Sequence, residues 1–171
     1  MSAHETFAAH NDAFVSTFNQ GDLKLTVPNK KLVVITCMDA RVDPAAQLGI
    51  AIGDAHVLRN GGGSAREALR SILISQRLLG TREIAVFHHT DCGMFTFTNE
   101  SLSSKIKSES PGDLDVAIAV DEVNFRAAYA NLDESVAGDV KFLKEHPLVM
   151  KDTVVTGWVH ETHTGRVKRV V

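Results

Sequence analysis

The stretch VVITCMDARVDP, residues 33–44, decides the fold of this chain. Its first residues are β-branched and apolar, which is typical of a short strand buried on both faces of a parallel sheet. Cys37, Asp39 and Arg41 follow the strand directly, and an aspartate before Pro44 is typical of a helix start. Because functional side chains gather at the carboxyl ends of parallel strands, this stretch predicts a site at the edge of a sheet.

The composition narrows the class of protein. A chain of 171 residues with 44% hydrophobic residues can bury a sizeable core, so we expect residues 1–171 to form a single domain. The 21 acidic side chains outnumber the 18 basic ones, which argues against nucleic acid or an anionic membrane surface as a partner. No apolar run approaches the roughly 18 residues of a membrane span, and no secretory signal is visible, so we expect a cytoplasmic protein.

Two further strands surround a glycine loop. Residues 55–60, AHVLRN, lead into three glycines, after which Ser64 and Glu67 form a capping box for a helix that extends to about Leu79. Residues 83–89, EIAVFHH, read as the third strand. The order strand, helix, strand, helix, strand predicts an α/β fold with a mostly parallel central sheet flanked by helices.

The remaining segments give simpler patterns. A Ser-x-x-Glu capping box opens an amphipathic helix over residues 2–18, and the polar run at 103–113 reads as a loop. Two helices are predicted at 114–130 and 133–146. The tail, residues 153–171, alternates around a glycine turn and predicts a hairpin or a strand with an edge.

The first and third strands both end next to a cysteine, and the chain has only two cysteines. Strand ends of a parallel sheet converge, so Cys37, His89 and Cys92 can share one metal ion. Two thiolates and one imidazole suit Zn²⁺, whose catalytic sites use three protein ligands and leave a fourth position for water or substrate. We therefore expect one Zn²⁺ per chain.

Asp39 and Arg41 supply the groups that a catalytic metal needs nearby. The carboxylate of Asp39 can accept a hydrogen bond from a zinc-bound water or hydroxide. The guanidinium of Arg41 can pair with that carboxylate, orient it and lower its pKa. The two residues form a predicted catalytic dyad.

Three motifs resemble those of the β-class carbonic anhydrases, whose usual forms are C-x-D-x-R, R-N-A-G and H-x-x-C. They are CMDARVDP at 37–44, RNGGG at 59–63 and HHTDCGM at 88–94. The last motif and residues 70–84, RSILISQRLLGTREI, are similar to a small subclass that includes carbonyl sulfide and carbon disulfide hydrolases. The resemblance implies a β-carbonic anhydrase-like fold, a zinc site made by Cys37, His89 and Cys92, and catalysis by the dyad.

The resemblance also implies an assembly. It predicts a homodimer or a dimer-based homotetramer in which the N-terminal helix lies across a neighbouring subunit. The reaction implied is attack of zinc hydroxide on the carbon of a small linear substrate, either reversible hydration of CO₂ to bicarbonate or hydrolysis of carbonyl sulfide to hydrogen sulfide and CO₂.

Two residues bear on the substrate. Gly61 replaces the usual alanine of R-N-A-G, and Met94 follows the ligand motif where apolar side chains can line the substrate entrance. The apolar segment GMFTF, residues 93–97, favours the less polar carbonyl sulfide. CO₂ and carbonyl sulfide are nearly isosteric, however, and a pocket that selects by size gains only about 1–3 kcal/mol, so both substrates stay open.

Other functions remain open from the residues alone. The protein can be a carbonic anhydrase only, or a non-catalytic zinc protein in which Asp39 closes the fourth position. It can also be a thiol hydrolase with Cys37 as nucleophile and His89 as base.

Several polar residues near the motifs have a structural interpretation. We expect Arg59 and Asn60 to fix the glycine loop, and that loop to offer at most a weak anion site. His88 is expected to be packed rather than a ligand, and His160 and His163 to face solvent on the C-terminal turn.

Overall fold

A computed structural model describes residues 2–123, 125 and 131–171. Five strands form one sheet in the order β2, β1, β3, β4, β5. Their bounds are Leu32–Cys37 for β1, Ala55–Asn60 for β2, Glu83–His89 for β3, Val154–His160 for β4 and Val167–Arg169 for β5. The first four strands are parallel and β5 is antiparallel to β4, so the predicted α/β fold with a mostly parallel sheet is confirmed.

Six α-helices are present among the described residues. They are α1 (Phe7–Val15), α2 (Pro44–Leu48), α3 (Ala65–Leu79), α4 (Asn99–Glu109), α5 (Leu114–Glu122) and α6 (Leu132–Glu145). Short 3₁₀ turns occur at Ala3–Thr6, Gly61–Gly63 and Gly93–Phe95. Within the described residues, no helix combines the length and the apolar character that crossing a membrane requires.

The signals predicted at the ends of α2 and α3 are present. The carboxylate of Asp43 accepts hydrogen bonds from the amides of Ala45 and Ala46 at the start of α2. The hydroxyl of Ser64 caps α3, and Gly80 ends that helix with a φ of 67°.

The two faces of the sheet are covered unequally. On one face Val33, Ile35, Ile84 and Val86 pack with α3 and α6 into a fully buried core. On the other face Val34, Ala85 and Phe87 pack with partly buried Trp158 and with the residues around α2. This second face carries an open apolar groove of about 520 Å³ that runs across β1, β3 and β4.

Two predictions about the N-terminal helix are wrong, its capping box at Ser2 and its extent to residue 18. The hydroxyl of Ser2 bonds the ring of His4 instead of capping a helix with Glu5, and α1 ends at Val15. No residue of α1 is buried, so packing against the described part of the chain does not hold the helix to the predicted length.

The polar run at 103–113, predicted to be a loop, lies largely in α4. That helix begins with reciprocal capping, in which the hydroxyl of Thr98 accepts from the amide of Ser101 and the hydroxyl of Ser101 accepts from the amide of Thr98. Serine takes the place of the usual glutamate in this capping box, so the usual sequence pattern does not mark the start of α4.

The last third of the chain follows the prediction in part. The helix predicted at 114–130 is shorter than predicted, because α5 ends at Glu122 and the backbone of Val123 is extended. Residues 124 and 126–130 lie outside the described part. The helix predicted at 133–146 is α6. The tail forms a hairpin, with β4 and β5 joined by residues 161–166.

Candidate metal centre

The sheet brings the three predicted ligands together. Cys37 ends β1, His89 ends β3, and Cys92 lies in the turn after β3. Their ligand atoms all lie within 4.8 Å of one another, and the side chains are 4%, 1% and 6% exposed. Because β1 and β3 are neighbours in parallel register, both strand ends deliver their last side chain to one place.

The geometry fits Zn²⁺. The two sulfur atoms are 4.0 Å apart, and tetrahedral coordination with Zn–S bonds of about 2.3 Å places two thiolates about 3.8 Å apart. His89 Nδ1 is 2.8 Å from the carbonyl oxygen of Thr90, which can only accept, so Nδ1 carries the proton. The other nitrogen, Nε2, is buried and has no hydrogen-bond partner among the described residues. A metal ion would satisfy that nitrogen.

The two thiols differ in acidity. The hydrogen bond from the thiol of Cys92 lowers the pKa of Cys37, and the same contact with the Cys37 thiolate, together with burial, raises the pKa of Cys92. Without a metal the pair therefore shares one proton. Zinc ligation requires both thiolates, so that proton has to leave when the metal binds.

Asp39 and Arg41 form a two-pronged ion pair beside the ligands. Arg41 Nε donates to Asp39 Oδ1 over 3.0 Å and Nη2 donates to Oδ2 over 2.8 Å. These bonds, with one from the Arg41 amide, hold the pKa of the Asp39 carboxyl well below its usual range. Asp39 Oδ2 lies 3.9 Å from His89 Nε2, so an ionised carboxylate adjoins the position that a metal would take.

Arg59 and Asn60 hold two different loops. Arg59 donates to the carbonyls of Cys37 and Asp39 over 3.1 and 2.8 Å, so it fixes the turn after β1 rather than the predicted glycine loop. Asn60 does close the glycine loop, because its side chain bonds both the amide and the carbonyl of Ser64.

The glycine loop lies beside Met94. A Cβ added to Gly61 would lie 3.5 Å from Met94 Sδ, and one added to Gly62 would lie 3.0 Å from Met94 Cγ. The amides of Gly62 and Met94 also donate to the sulfurs of Cys37 and Cys92. The same two backbone segments thus stabilise the thiolates and form a wall beside them.

The carbonic anhydrase family model matches residues 32–167 of the chain, which include every residue of this centre. The chain belongs to this family. Beta-carbonic anhydrase 1 of Mycobacterium tuberculosis (strain ATCC 25618 / H37Rv) is 36% identical over 171 residues, which cover 99% of each chain. Carbon disulfide hydrolase of Acidianus sp. (strain A1-3) is 35% identical over 158 residues, which cover 82% of this chain and 78% of the hydrolase.

The fold of the chain also matches that of a solved carbonic anhydrase structure. Carbonic anhydrase from Glaciozyma antarctica is 43% identical and superposes with a TM-score of 0.94 over 100% of both chains. With these relatives and its Cys-His-Cys group, the chain is a zinc-dependent enzyme of the β-carbonic anhydrase family.

A buried carboxylate occupies the start of α3 in this member of the family. Asp139 of α6 accepts from the amide of Ala65 over 2.8 Å, at the position where we expected a weak anion site. The Ala65 amide is therefore not free to bind an external anion. His88 packs on the same group, with Nδ1 bonded to Ser135 and Nε2 3.5 Å from Asp139, so the prediction that His88 is packed is confirmed.

The two C-terminal histidines differ from each other. His160 was predicted to face solvent, but it is only 4% exposed, because β4 continues through it and pairs it with His89. Burial lowers the pKa of His160, so its ring is neutral near pH 7. The side chain of His163 is 82% exposed, as predicted, and its Nε2 lies 2.8 Å from Asp91 Oδ2.

Three residues near the centre were not singled out from the sequence. The Thr90 carbonyl holds His89, the Asp91 carbonyl accepts from Arg41 Nη2 over 3.0 Å, and the Thr162 amide donates to the Thr90 hydroxyl over 3.0 Å. Thr90 and Asp91 lie inside the H-x-x-C motif, where their position was a usable signal. Thr162 is 72 residues from its partner, and no local pattern reveals such a contact.

Proposed function

We propose that the chain hydrates carbon dioxide to bicarbonate with one Zn²⁺ held by Cys37, His89 and Cys92. The observation that carries this proposal is the buried group of three ligand atoms with the Asp39–Arg41 pair beside it. When bound, Zn²⁺ would lower the pKa of water so that a nucleophile is available near neutral pH. Similarity along the whole chain to a β-carbonic anhydrase supports the choice of CO₂.

In this proposal the protein's own groups orient the reaction. The Thr90 carbonyl fixes the tautomer of His89, so Nε2 always faces the metal position. Asp39 presents an ionised oxygen, held by Arg41, that can accept a hydrogen bond from the attacking water. Met94 and Gly61 form a wall against which a small linear molecule can lie.

The ion pair also bears on the alternative in which Asp39 closes the site. Arg41 engages both carboxylate oxygens of Asp39. For the carboxylate to occupy the fourth position of a metal, this two-pronged pair would first have to break. The geometry therefore favours an open, catalytic centre over a non-catalytic zinc protein.

Carbonyl sulfide is the second candidate substrate. The similarity to a carbon disulfide hydrolase and the thioether of Met94 at the glycine loop favour it. A sulfur-containing linear molecule would find a polarisable wall there. The same dyad and the same three ligands would serve both reactions.

Parallel turnover measurements test both candidates. Zinc-loaded protein is assayed by stopped flow for CO₂ hydration and, separately, for hydrogen sulfide release from carbonyl sulfide, each before and after chelation. Fast chelator-sensitive hydration supports the proposal, whereas chelator-sensitive sulfide release with slow hydration makes carbonyl sulfide the main substrate. Activity that survives full zinc removal would instead support a thiol hydrolase that uses Cys37 and His89.

We also propose a homodimer or a dimer-based homotetramer. Helix α1 buries none of its own residues, and its Phe7 and Phe14 are 64% and 51% exposed. The open groove on the sheet is apolar and wide enough to receive such side chains. A helix and a groove left unpaired in one chain are complementary between two copies.

A further inference from the structure

The reaction proposed above releases a proton in every cycle, and this inference rests on that proposed function. Hydration forms a bond between the water oxygen and the carbon of CO₂ and breaks one O–H bond of the water. The electron pair of that O–H bond stays on oxygen, and the proton must reach a base in bulk solvent before the next cycle. A side chain that titrates near neutral pH at the mouth of the site would speed this step.

The turn between β4 and β5 lies against the loop that carries two of the ligands. The amide of Thr162 bonds the hydroxyl of Thr90, and the ring of His163 lies 2.8 Å from Asp91. Thr90 and Asp91 are the two residues between His89 and Cys92. The hairpin turn is therefore joined directly to the metal centre.

A continuous strip of polar groups leads from the centre to solvent. Asp39 pairs with Arg41 over 2.8 Å, Arg41 donates to the Asp91 carbonyl over 3.0 Å, and the Asp91 carboxylate lies 2.8 Å from His163. The exposure of the side chains rises along this strip, from 19% at Asp39 to 50% at Arg41 and 82% at His163. Water can follow such a strip and carry a proton along it.

The contact with Asp91 also sets the chemistry of the imidazole. A carboxylate accepts a hydrogen bond from Nε2, so a neutral His163 keeps its proton on Nε2. No other described residue contacts Nδ1, which leaves its lone pair free to take a proton. The remaining charged groups of this turn are Glu161, whose carboxylate accepts from Thr164, and Arg166.

The other histidines are less suited to this role. Among the described residues, His88, His89 and His160 are buried, and the ring of His56 is bonded to Ser75. The ring of His146 accepts a hydrogen bond from the amide of Leu148, and His4 and His10 lie in the N-terminal segment. His163 alone among them combines exposure with a contact to the ligand loop.

We infer that His163 accepts the proton that leaves the metal centre and passes it to buffer in solvent. His163 is thus a proton-transfer residue of the hydration reaction. The step conserves atoms, since imidazole gains the proton at Nδ1 and a buffer base removes it.

His163→Gln separates this role from a structural one. Glutamine can still donate to Asp91 but cannot take up a proton. Stopped-flow hydration is measured on the zinc-loaded wild type and this variant over a range of buffer concentrations. We expect kcat of the variant to fall about tenfold at low buffer concentration and to recover when imidazole is added, with kcat/KM unchanged. His146→Ala, at the C-terminal end of α6, is the control and should match the wild type.

Two further measurements use no turnover. Zinc content of His163→Gln should equal that of the wild type. Long-range ¹H–¹⁵N spectra should show the neutral ring of His163 protonated on Nε2, and a mixture of tautomers would show that the Asp91 contact does not form in solution and would overturn the inference.

The failures of the two proposals are distinguishable. A wild type that does not hydrate CO₂ overturns the proposed function and this inference together. A wild type that hydrates CO₂ with the same buffer dependence as His163→Gln overturns the inference alone.

Discussion

The metal centre depends on single side chains that no neighbour can replace. Cys37 and Cys92 are the two cysteines of the chain, and among the described residues no other cysteine, histidine or carboxylate joins His89 in a group with metal-binding geometry. We expect Cys37→Ser, Cys92→Ser and His89→Ala each to lose stoichiometric zinc, as measured by atomic emission on purified protein. His56→Ala is the control and should retain one zinc per chain. Full zinc retention in any ligand variant would remove that residue from the ligand set.

The thiol pair makes zinc binding depend on pH. The pKa of Cys92 is raised in the metal-free protein, so at neutral pH binding must displace its proton. Zinc affinity should therefore rise with pH and fall as the solution is acidified, by about tenfold per pH unit for each proton released. Competition against a chelator at several pH values measures this slope. A zinc affinity that stays constant between about pH 6 and pH 8 would show that binding displaces no proton.

The dyad predicts a separation of metal binding from turnover. Asp39 lies beside the candidate ligand group without being part of it. Arg41 holds its carboxylate ionised, with a pKa well below the usual range. Asp39→Asn should keep zinc and lose turnover by about 10² to 10⁴-fold. Asp152→Asn, an exposed aspartate paired with Arg82, should leave turnover unchanged. Because Asp39 stays ionised throughout the neutral range, its titration should not appear in the activity profile above about pH 4.

Local chemistry explains which site residues the sequence could predict. Cys37, Asp39 and Arg41 stand within five positions, so their spacing and their strand are visible together. Asp139, which occupies the start of α3, is 74 residues from its partner amide. Such a contact exists only after the helices pack, and no periodicity in the sequence contains it.

At the scale of elements, the glycine loop is held by close backbone contacts. Gly63 has a φ of 73°, and a Cβ there would lie 2.9 Å from the Phe87 carbonyl and 3.0 Å from the Thr36 carbonyl carbon. Gly63→Ala must both adopt a left-handed conformation and push β1 from β3. We expect a loss of about 3 kcal/mol or more in the free energy of unfolding, measured by denaturant titration.

Gly49→Ala is the matched control for this change. Gly49 has a φ of 62°, but a Cβ there meets no atom within 4 Å. Only the backbone strain should appear, at about 1–2 kcal/mol. Equal losses in the two variants would show that the contacts with Phe87 and Thr36 contribute nothing.

Strands were easier to predict than the helix boundaries. The strands β1 and β3 are short apolar runs that end in polar residues, and burial on both faces makes that pattern unambiguous. Helix α4 has no buried residue and a polar sequence, so its hydrophobic period is weak. Its start is marked only by the capping pair Thr98 and Ser101, which lacks the usual glutamate and precedes the polar run at 103–113.

At the scale of the whole molecule, two apolar surfaces formed by the described residues are exposed. Helix α1 presents Phe7, Phe14 and Val15 to solvent, and the sheet presents its open groove. Trp158, the single tryptophan of the chain, lines that groove and stacks on Phe87 with ring centroids 5.7 Å apart. Association through this face would therefore change the surroundings of one intrinsic fluorophore.

This arrangement predicts an association that tryptophan fluorescence can follow. If α1 of one copy covers the groove of another, Trp158 becomes less accessible to water on assembly, so dilution should shift its emission to longer wavelength as the oligomer dissociates. Phe14→Ser should weaken the association by about 2 kcal/mol for each helix, because it removes a buried aromatic ring from the interface. A dimer with two such helices should therefore dissociate about a thousandfold more readily, at about thirtyfold per helix. Leu78→Ser, at a leucine of α3 that is 77% exposed, is the control. Sedimentation velocity on the same samples gives the oligomer size. An emission maximum that stays constant on dilution while the oligomer dissociates would place the interface away from this groove.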